Sequence, residues 1–361
     1  MISFWANRSS SHAIPDYCAR RGRAIADRFD CRVYEDVESR VRLRAGAHIF
    51  ASLDRLTPNQ RDAAAVLHDA LAARVPDAPR LNDPRRVAMR FGLLTKLQEA
   101  GLNSYRVFRA RQTREISRFP VFLREADNHN GPLTGLLHSR HDVSKALWAL
   151  RARGWRLDEL LAVEFCDTAD AHGVYRKYSA FAVGERIVPC HVMASHQWAV
   201  KSESSEPDES LIRENMAYID ANPHESWLRQ VFAIAGAGYG RIDYGLLGGA
   251  PQVWEINLNP TVGMPLTHRR KPMPPELESL REREREAFHS RLRDAFVAID
   301  RDGLGPDIEV AFDAELSSRL AADEAKRRRR ERAMAWLHRA YENPRAGRAF
   351  RTLYRRVLPR F

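Results

Sequence analysis

Two short stretches near residue 250 constrain this chain more than any other part of it. In "GRIDYGLLGG", 240–249, Arg241 and Asp243 share one face of an apolar run, because side chains two apart in a strand point the same way. In "VWEINLNPTVG", 253–263, the same alternation puts Glu255, Asn257 and Asn259 on a face with Val253, and Trp254, Ile256 and Leu258 on the other. Gly248-Gly249 can reverse the chain between them, so the two runs read as an antiparallel hairpin. Paired in this way, Asp243 lies near Glu255 and Asn257. Two carboxylates and an amide oxygen, without sulfur or imidazole, are hard donors suited to Mg²⁺ or Mn²⁺. Magnesium held by few protein groups completes its shell with water and phosphate oxygens. The hairpin therefore predicts a metal–nucleotide site.

These residues resemble the metal-binding strands of the ATP-grasp superfamily, which includes D-alanine–D-alanine ligase and glutathione synthetase. The resemblance implies that Asp243, Glu255 and Asn257 ligate the metal and that Arg241 faces the phosphate being transferred, with Asn259 a weaker extra candidate. "LNDPRRVAMRFGLLTKLQEAGLNSYRVF", 81–108, is similar to the family's entry helix, with Gly101 as its C′ residue and Arg90 where a nucleotide-binding lysine is usual. "FPVFLREADNHNGPLTGLL", 119–137, resembles the strand and glycine-bearing loop over the triphosphate, with Arg124 again in place of lysine. Arginine keeps the positive charge and adds forked donors suited to phosphate. Glu164, ending the apolar run "LLAVEFCDT", resembles the hinge that receives adenine and ribose, and Lys177 is a candidate phosphate contact. The implied activity is an ATP-dependent ligase that activates a carboxylate as an acyl phosphate and joins it to an amine or thiol. A kinase of the same superfamily, or a noncatalytic nucleotide-binding protein, are the alternatives.

The expected fold class is α/β (α+β), an ATP-grasp fold with additions at both ends. Residues 1–85 alternate strand-like runs ("CRVYEDV", "AHIFASL") with helical ones ("DYCARRGRAIADRF", "NQRDAAAVLHDALAARV"), which reads as a small parallel unit. Residues 86–268 form the nucleotide- and metal-binding core, and 269–361 a charged helical extension. "GAGYGR", 236–241, follows a helix and precedes a strand, the wrong order for a dinucleotide fingerprint, so it reads as a helix cap and turn.

The net charge of +11 is concentrated in the tail. Residues 326–361 hold thirteen Lys or Arg against two acids, an excess of eleven, so the catalytic body is close to neutral. Apolar residues from Ala346 to Phe361 fall at helical spacing, and this stripe is expected to dock on the body. An anionic membrane surface or an acidic partner is the other reading, and no nucleic-acid module is recognised. No run approaches the ~18–20 apolar residues of a membrane span, and no secretory core opens the chain, so a cytoplasmic protein is expected. Four widely spaced cysteines form no zinc pattern and are expected as reduced thiols. His138, His141, His191 and His196 are read as surface or supporting residues.

Overall fold

A computed structural model describes residues 1–201, 208–262, 273–301 and 303–342. The predicted tail stripe, 346–361, lies outside the described residues.

The N-terminal unit is a four-stranded parallel sheet. Strand β1 (Ile2–Ala6) lies between β2 (Phe29–Val33) and β4 (Ala47–Phe50), and β5 (Arg80–Leu81) pairs with β4. All five residues of β1 are buried, as a central parallel strand covered on both faces requires. The stretch expected as one helix is broken: α1 (Ala13–Cys18) ends before Gly22, and a 3₁₀ segment follows. Strand β3 (Arg40–Leu43) stands apart from this sheet. Helix α2 (Pro58–Arg74) starts from a capping box in which Thr57 and Gln60 satisfy each other's backbone N–H, with Pro58 at its first position.

Two antiparallel sheets follow. Helix α3 (Arg90–Glu99) leads into a three-stranded sheet of order β6 (Val107–Arg109), β8 (Leu160–Glu164), β7 (Val121–Glu125), backed by α4 (Arg140–Ala152). The larger sheet has the order β10 (Arg186–Ser195), β9 (Tyr175–Val183), β11 (Tyr239–Leu247), β12 (Ala250–Asn257). Helices α5 (Glu209–Ala221) and α6 (Glu225–Ala235) connect β10 to β11, and α6 ends at Gly236 in the left-handed region. The β11–β12 hairpin turns at Gly248 and Gly249, with φ of 57° and 87°, the two-residue turn expected of that pair.

Buried Asn82 couples the N-terminal unit to the core. Its Oδ1 accepts the Gly238 and Tyr239 N–H groups, and its Nδ2 donates to the Phe50 and Tyr239 carbonyls. The C-terminal extension is interleaved with both units. Helix α7 (Pro275–Ile299) buries Phe288, Leu292 and Phe296 in one core with Ile2, Phe4, Phe181 and Tyr239. Strand β13 (Ile308–Ala311), unforeseen within the helical extension, pairs antiparallel with β3. Helix α8 (Ala314–Glu342) then packs against α2. No described helix is long and apolar enough to cross a membrane. All four cysteines are free; Cys31 is exposed.

Candidate active site

The hairpin register decides which side chains meet. Asp243 is the cross-strand partner of Glu255, and Arg241 that of Asn257. Directly opposed residues share a face of an antiparallel pair, so all four lie on the same side. The alternation expected along β12 breaks upstream: Tyr244 pairs with Val253, which leaves Trp254 in a bulge. The bulge brings Trp254 onto the same cavity wall as Glu255, where strict alternation had placed it on the opposite face.

This face floors a cavity of about 1000 Å³ between the two antiparallel sheets. Asp243 is buried and accepts from Ser179 Oγ at 2.8 Å, with Arg241 Nε at 3.1 Å and Lys177 Nζ at 3.2 Å. Burial alone would raise its carboxyl, but Arg241 and Lys177 outweigh that and hold it down at about 2. Glu255 receives Arg124 at 2.7 Å and Arg90 at 2.5 Å on one oxygen, and His129 Nδ1 lies 3.3 Å from the other. Here too burial is overcome, by His129, Arg90 and Arg124, and the carboxyl lies well below its ordinary range. Both acids are therefore ionised.

Among the predicted phosphate contacts, Arg124 and Lys177 line the cavity with Arg241, and Arg90 does not. Arg90 is 7% exposed behind Glu255, and its Nη1 donates to the Glu125, Ala126 and Asn128 carbonyls at 2.7–3.1 Å. A guanidinium held by three carbonyls and a carboxylate acts as a structural clamp, and in this structure Arg90 stands behind Glu255 and outside the cavity lining. Glu164 lines the cavity at the end of β8; at 1% exposed, its carboxylate takes donors from Arg106 and Arg118 and from the Arg106 N–H, which fix it at the hinge. Asn257 shares the floor's face, but its Oδ1 accepts the Asn259 N–H at 2.9 Å and it is not a cavity-lining residue. Asn259 turns away altogether: its Nδ2 donates to the Ser10 carbonyl and to Ser10 and Ser52 Oγ, a tie to the N-terminal unit.

Sequence reasoning missed two residues. His129, in the loop after β7, bridges Glu255 to Asp54 of the N-terminal unit, with Nε2 2.9 Å from the Asp54 carboxylate. Burial disfavours its charged form, but Asp54 and Glu255 prevail and raise its pKa. No spacing rule links positions 54, 129 and 255; only the motif-bearing loop "DNHNG" hinted at chemistry near His129. Trp198 is the second. Its ring lies 4.9 Å from Phe122 and 5.7 Å from Phe165, forming an aromatic wall beside Cys166 at the end of the cavity where the hinge strand β8 finishes. His191 also lines the cavity; burial holds it down at about 3, and its Nε2 has no partner among the described residues.

The cavity therefore combines a flat aromatic end, a row of fixed cations and two opposed, ionised carboxylates. Among the described residues no cluster of three His, Cys, Asp or Glu could hold a metal alone. The donor set that remains, Asp243 and Glu255, consists of hard oxygens.

No protein-family model matches the chain, and no curated protein matches it in sequence. Solved structures with which its fold aligns are ATP-grasp ligases. The RimK-domain ATP-grasp protein from Sphaerobacter thermophilus is 14% identical, with a TM-score of 0.41 over 82% of this chain and 99% of that one. The ATP-grasp ligase PsnB, solved with a minimal precursor, is 12% identical, with a TM-score of 0.49 over 82% and 98%. D-alanine–D-alanine ligase from Bacillus anthracis, solved with ATP, is 8% identical, with a TM-score of 0.42 over 82% and 97%.

Proposed function

We propose that the chain is an ATP-dependent ligase that joins a carboxylate to an amine or a thiol. The observation that carries this reading is the placement of Arg241, Asp243 and Glu255 on one cavity face, beside Arg124 and Lys177 and opposite an aromatic wall. ATP is a flat base joined to a chain of anionic oxygens, and the cavity supplies a complementary surface for each. The base fits against Phe122, Phe165 and Trp198, and Arg124, Lys177 and Arg241 receive the phosphates.

Asp243 and Glu255 would hold Mg²⁺ or Mn²⁺, with phosphate and water completing the shell; the metal, when bound, supplies charge neutralisation at the β- and γ-phosphates. The residues of the chain do the rest. Arg90 and His129 fix the Glu255 carboxylate from behind, so it presents its charge without reorganising. Lys177 and Arg241 share Asp243 and also line the cavity, where their charges would face the phosphates. The substrate carboxylate oxygen attacks the γ-phosphorus while the bond to the ADP oxygen breaks, giving an acyl phosphate and ADP. The amine then adds to the acyl carbon, loses a proton and expels phosphate. Trp254, Trp198 and the loop at Asn130–Pro132 wall the cavity and limit access of water to the acyl phosphate.

The test is a turnover screen of the purified chain with ATP, Mg²⁺ and pooled carboxylates and amines, with ADP, AMP, phosphate and pyrophosphate measured separately. ADP and phosphate appearing only when both pools are present is the expected outcome. AMP and pyrophosphate would overturn the acyl-phosphate route, and a phosphorylated product formed without any amine would make the chain a kinase.

A further inference from the structure

The cavity has a second end that the nucleotide does not account for. Beyond β10, where Cys190, His191 and Met193 line it, its wall is made by α7 and by the segment after α1. Arg281, Arg285 and His289 follow one another at four-residue intervals, a single stripe along α7, and all three face the cavity. Across from them stand Arg20 and Arg21. Four arginines stand at this end against Glu284 on the cavity wall and against Glu278 and Glu282, which Arg21 and Arg285 contact, so one positive charge is left over among these residues.

The arginines belong to an ordered frame. Arg21 forks onto Glu282, with one contact of 2.9 Å, and Arg293 donates to the Arg21 carbonyl at 3.0 Å, fixing this segment to α7. Arg285 reaches Glu278 and Glu282 at 3.5 Å each, too long to saturate its donors. The Arg20 side chain is exposed and has no hydrogen-bond or ion-pair partner among the described residues, while its backbone N–H donates to the Tyr17 carbonyl at 3.0 Å. His289 is 4% exposed, packs against the Tyr17 and Phe288 rings at tilted angles of 30° and 54°, and leaves Nδ1 without a partner. A buried polar nitrogen without a partner is costly, and either a water or a ligand group can satisfy it.

We propose that this end anchors a second acidic group, a carboxylate or a phosphate, on the substrate whose own carboxylate reacts near Arg241. The inference rests on the ligase reading and narrows it: the activated substrate is a small molecule with at least two anionic groups. A monocarboxylate leaves the Arg20 guanidinium and His289 Nδ1 without a ligand, and a cationic amine is disfavoured beside Arg20.

The experiment is calorimetric titration of the full chain at low salt with two matched pairs, L-glutamate against L-glutamine and O-phospho-L-serine against L-serine. The acidic member of at least one pair is expected to bind tenfold or more tightly than its neutral partner, and the pair that responds identifies carboxylate or phosphate. In Arg20→Gln/Arg285→Gln that advantage should fall below threefold, with affinity for a fluorescent ATP analogue unchanged within twofold. Arg20→Glu alone, altering a side chain without a partner, should cut the advantage at least threefold and serves if the double variant is unstable. Equal affinities within both pairs, absence of binding by either acid, or an advantage that survives both variants would overturn the proposal. Failure of the wild-type chain to bind the ATP analogue refutes the ligase reading separately, since the acid titrations need no nucleotide.

Discussion

Arg90 offers the sharpest discrimination between a structural clamp and a phosphate contact. Arg90→Ala removes a charge-assisted bond to Glu255, worth about 1.5–3 kcal/mol, and strips the Glu125, Ala126 and Asn128 carbonyls of their donor, at about 1–3 kcal/mol for the buried part. Arg124 and His129 remain on Glu255, so the carboxylate keeps partial compensation and the loss should total about 3–5 kcal/mol. An unfolding entropy of about 2.1 cal/mol/K per residue over 361 residues is about 0.76 kcal/mol/K. The melting temperature should therefore drop by about 4–7 °C, read by differential scanning calorimetry. Arg90→Lys should recover only part of the drop, because one ammonium cannot span a carboxylate and three carbonyls. A change below about 1 °C accompanied by lost binding of an ATP analogue would refute the clamp and restore the phosphate role.

Other outcomes follow from the same geometry. Asp243→Asn should lower metal-dependent ADP formation at least about 100-fold, and chelation by EDTA should stop turnover until Mg²⁺ or Mn²⁺ is returned. Because the folded-state pKa of Asp243 is depressed to about 2, its stabilisation is intact above about pH 4 and is lost as pH falls toward 2; an acid titration of the melting temperature should be flatter for Asp243→Asn in that window. Trp198→Ala should weaken binding of an ATP analogue about tenfold by removing a stacking face, measured by fluorescence titration. His48 accepts the Trp5 indole N–H on Nδ1, lies 3.0 Å from the Arg44 carbonyl through Nε2, and is held down at about 4 by burial. The unfolded chain takes up that proton first, so stability should decline as pH falls from about 6.5 toward 4, and His48→Gln should lessen the decline.

The floor of the site was legible because its information is local. Two strands, a Gly-Gly turn and a period of two place Asp243 opposite Glu255 with no knowledge of the rest of the chain. The bulge at Trp254 was not legible, since it depends on Asn103 and Tyr105 bonding to the Val253 backbone from about 150 residues away. Arg90 and Glu164 were found as charged residues near the site, but their orientation is set by partners on other elements, which no window of sequence contains. His129 escaped for the same reason: its role exists only once Asp54 and Glu255 are brought to it. The helical extension read correctly as helices α7 and α8, whereas β13 shows no alternation long enough to mark it, and only pairing with β3 makes it a strand.

That pairing has a consequence for synthesis. Leu43 of β3 has its partner in Ile308 of β13, and Val310, Phe312 and Leu316 complete a core begun by Val41, Leu43 and Leu67. At a translation rate of about 5–20 residues per second, the ribosome needs roughly 13–53 s to travel the 265 positions between those two partners. During that interval β3 offers an open backbone edge and an uncovered apolar face to whatever lies near the exit tunnel. The first unit to be made is thus among the last to close, and slowed elongation late in the message prolongs its exposure to chaperones and proteases alike.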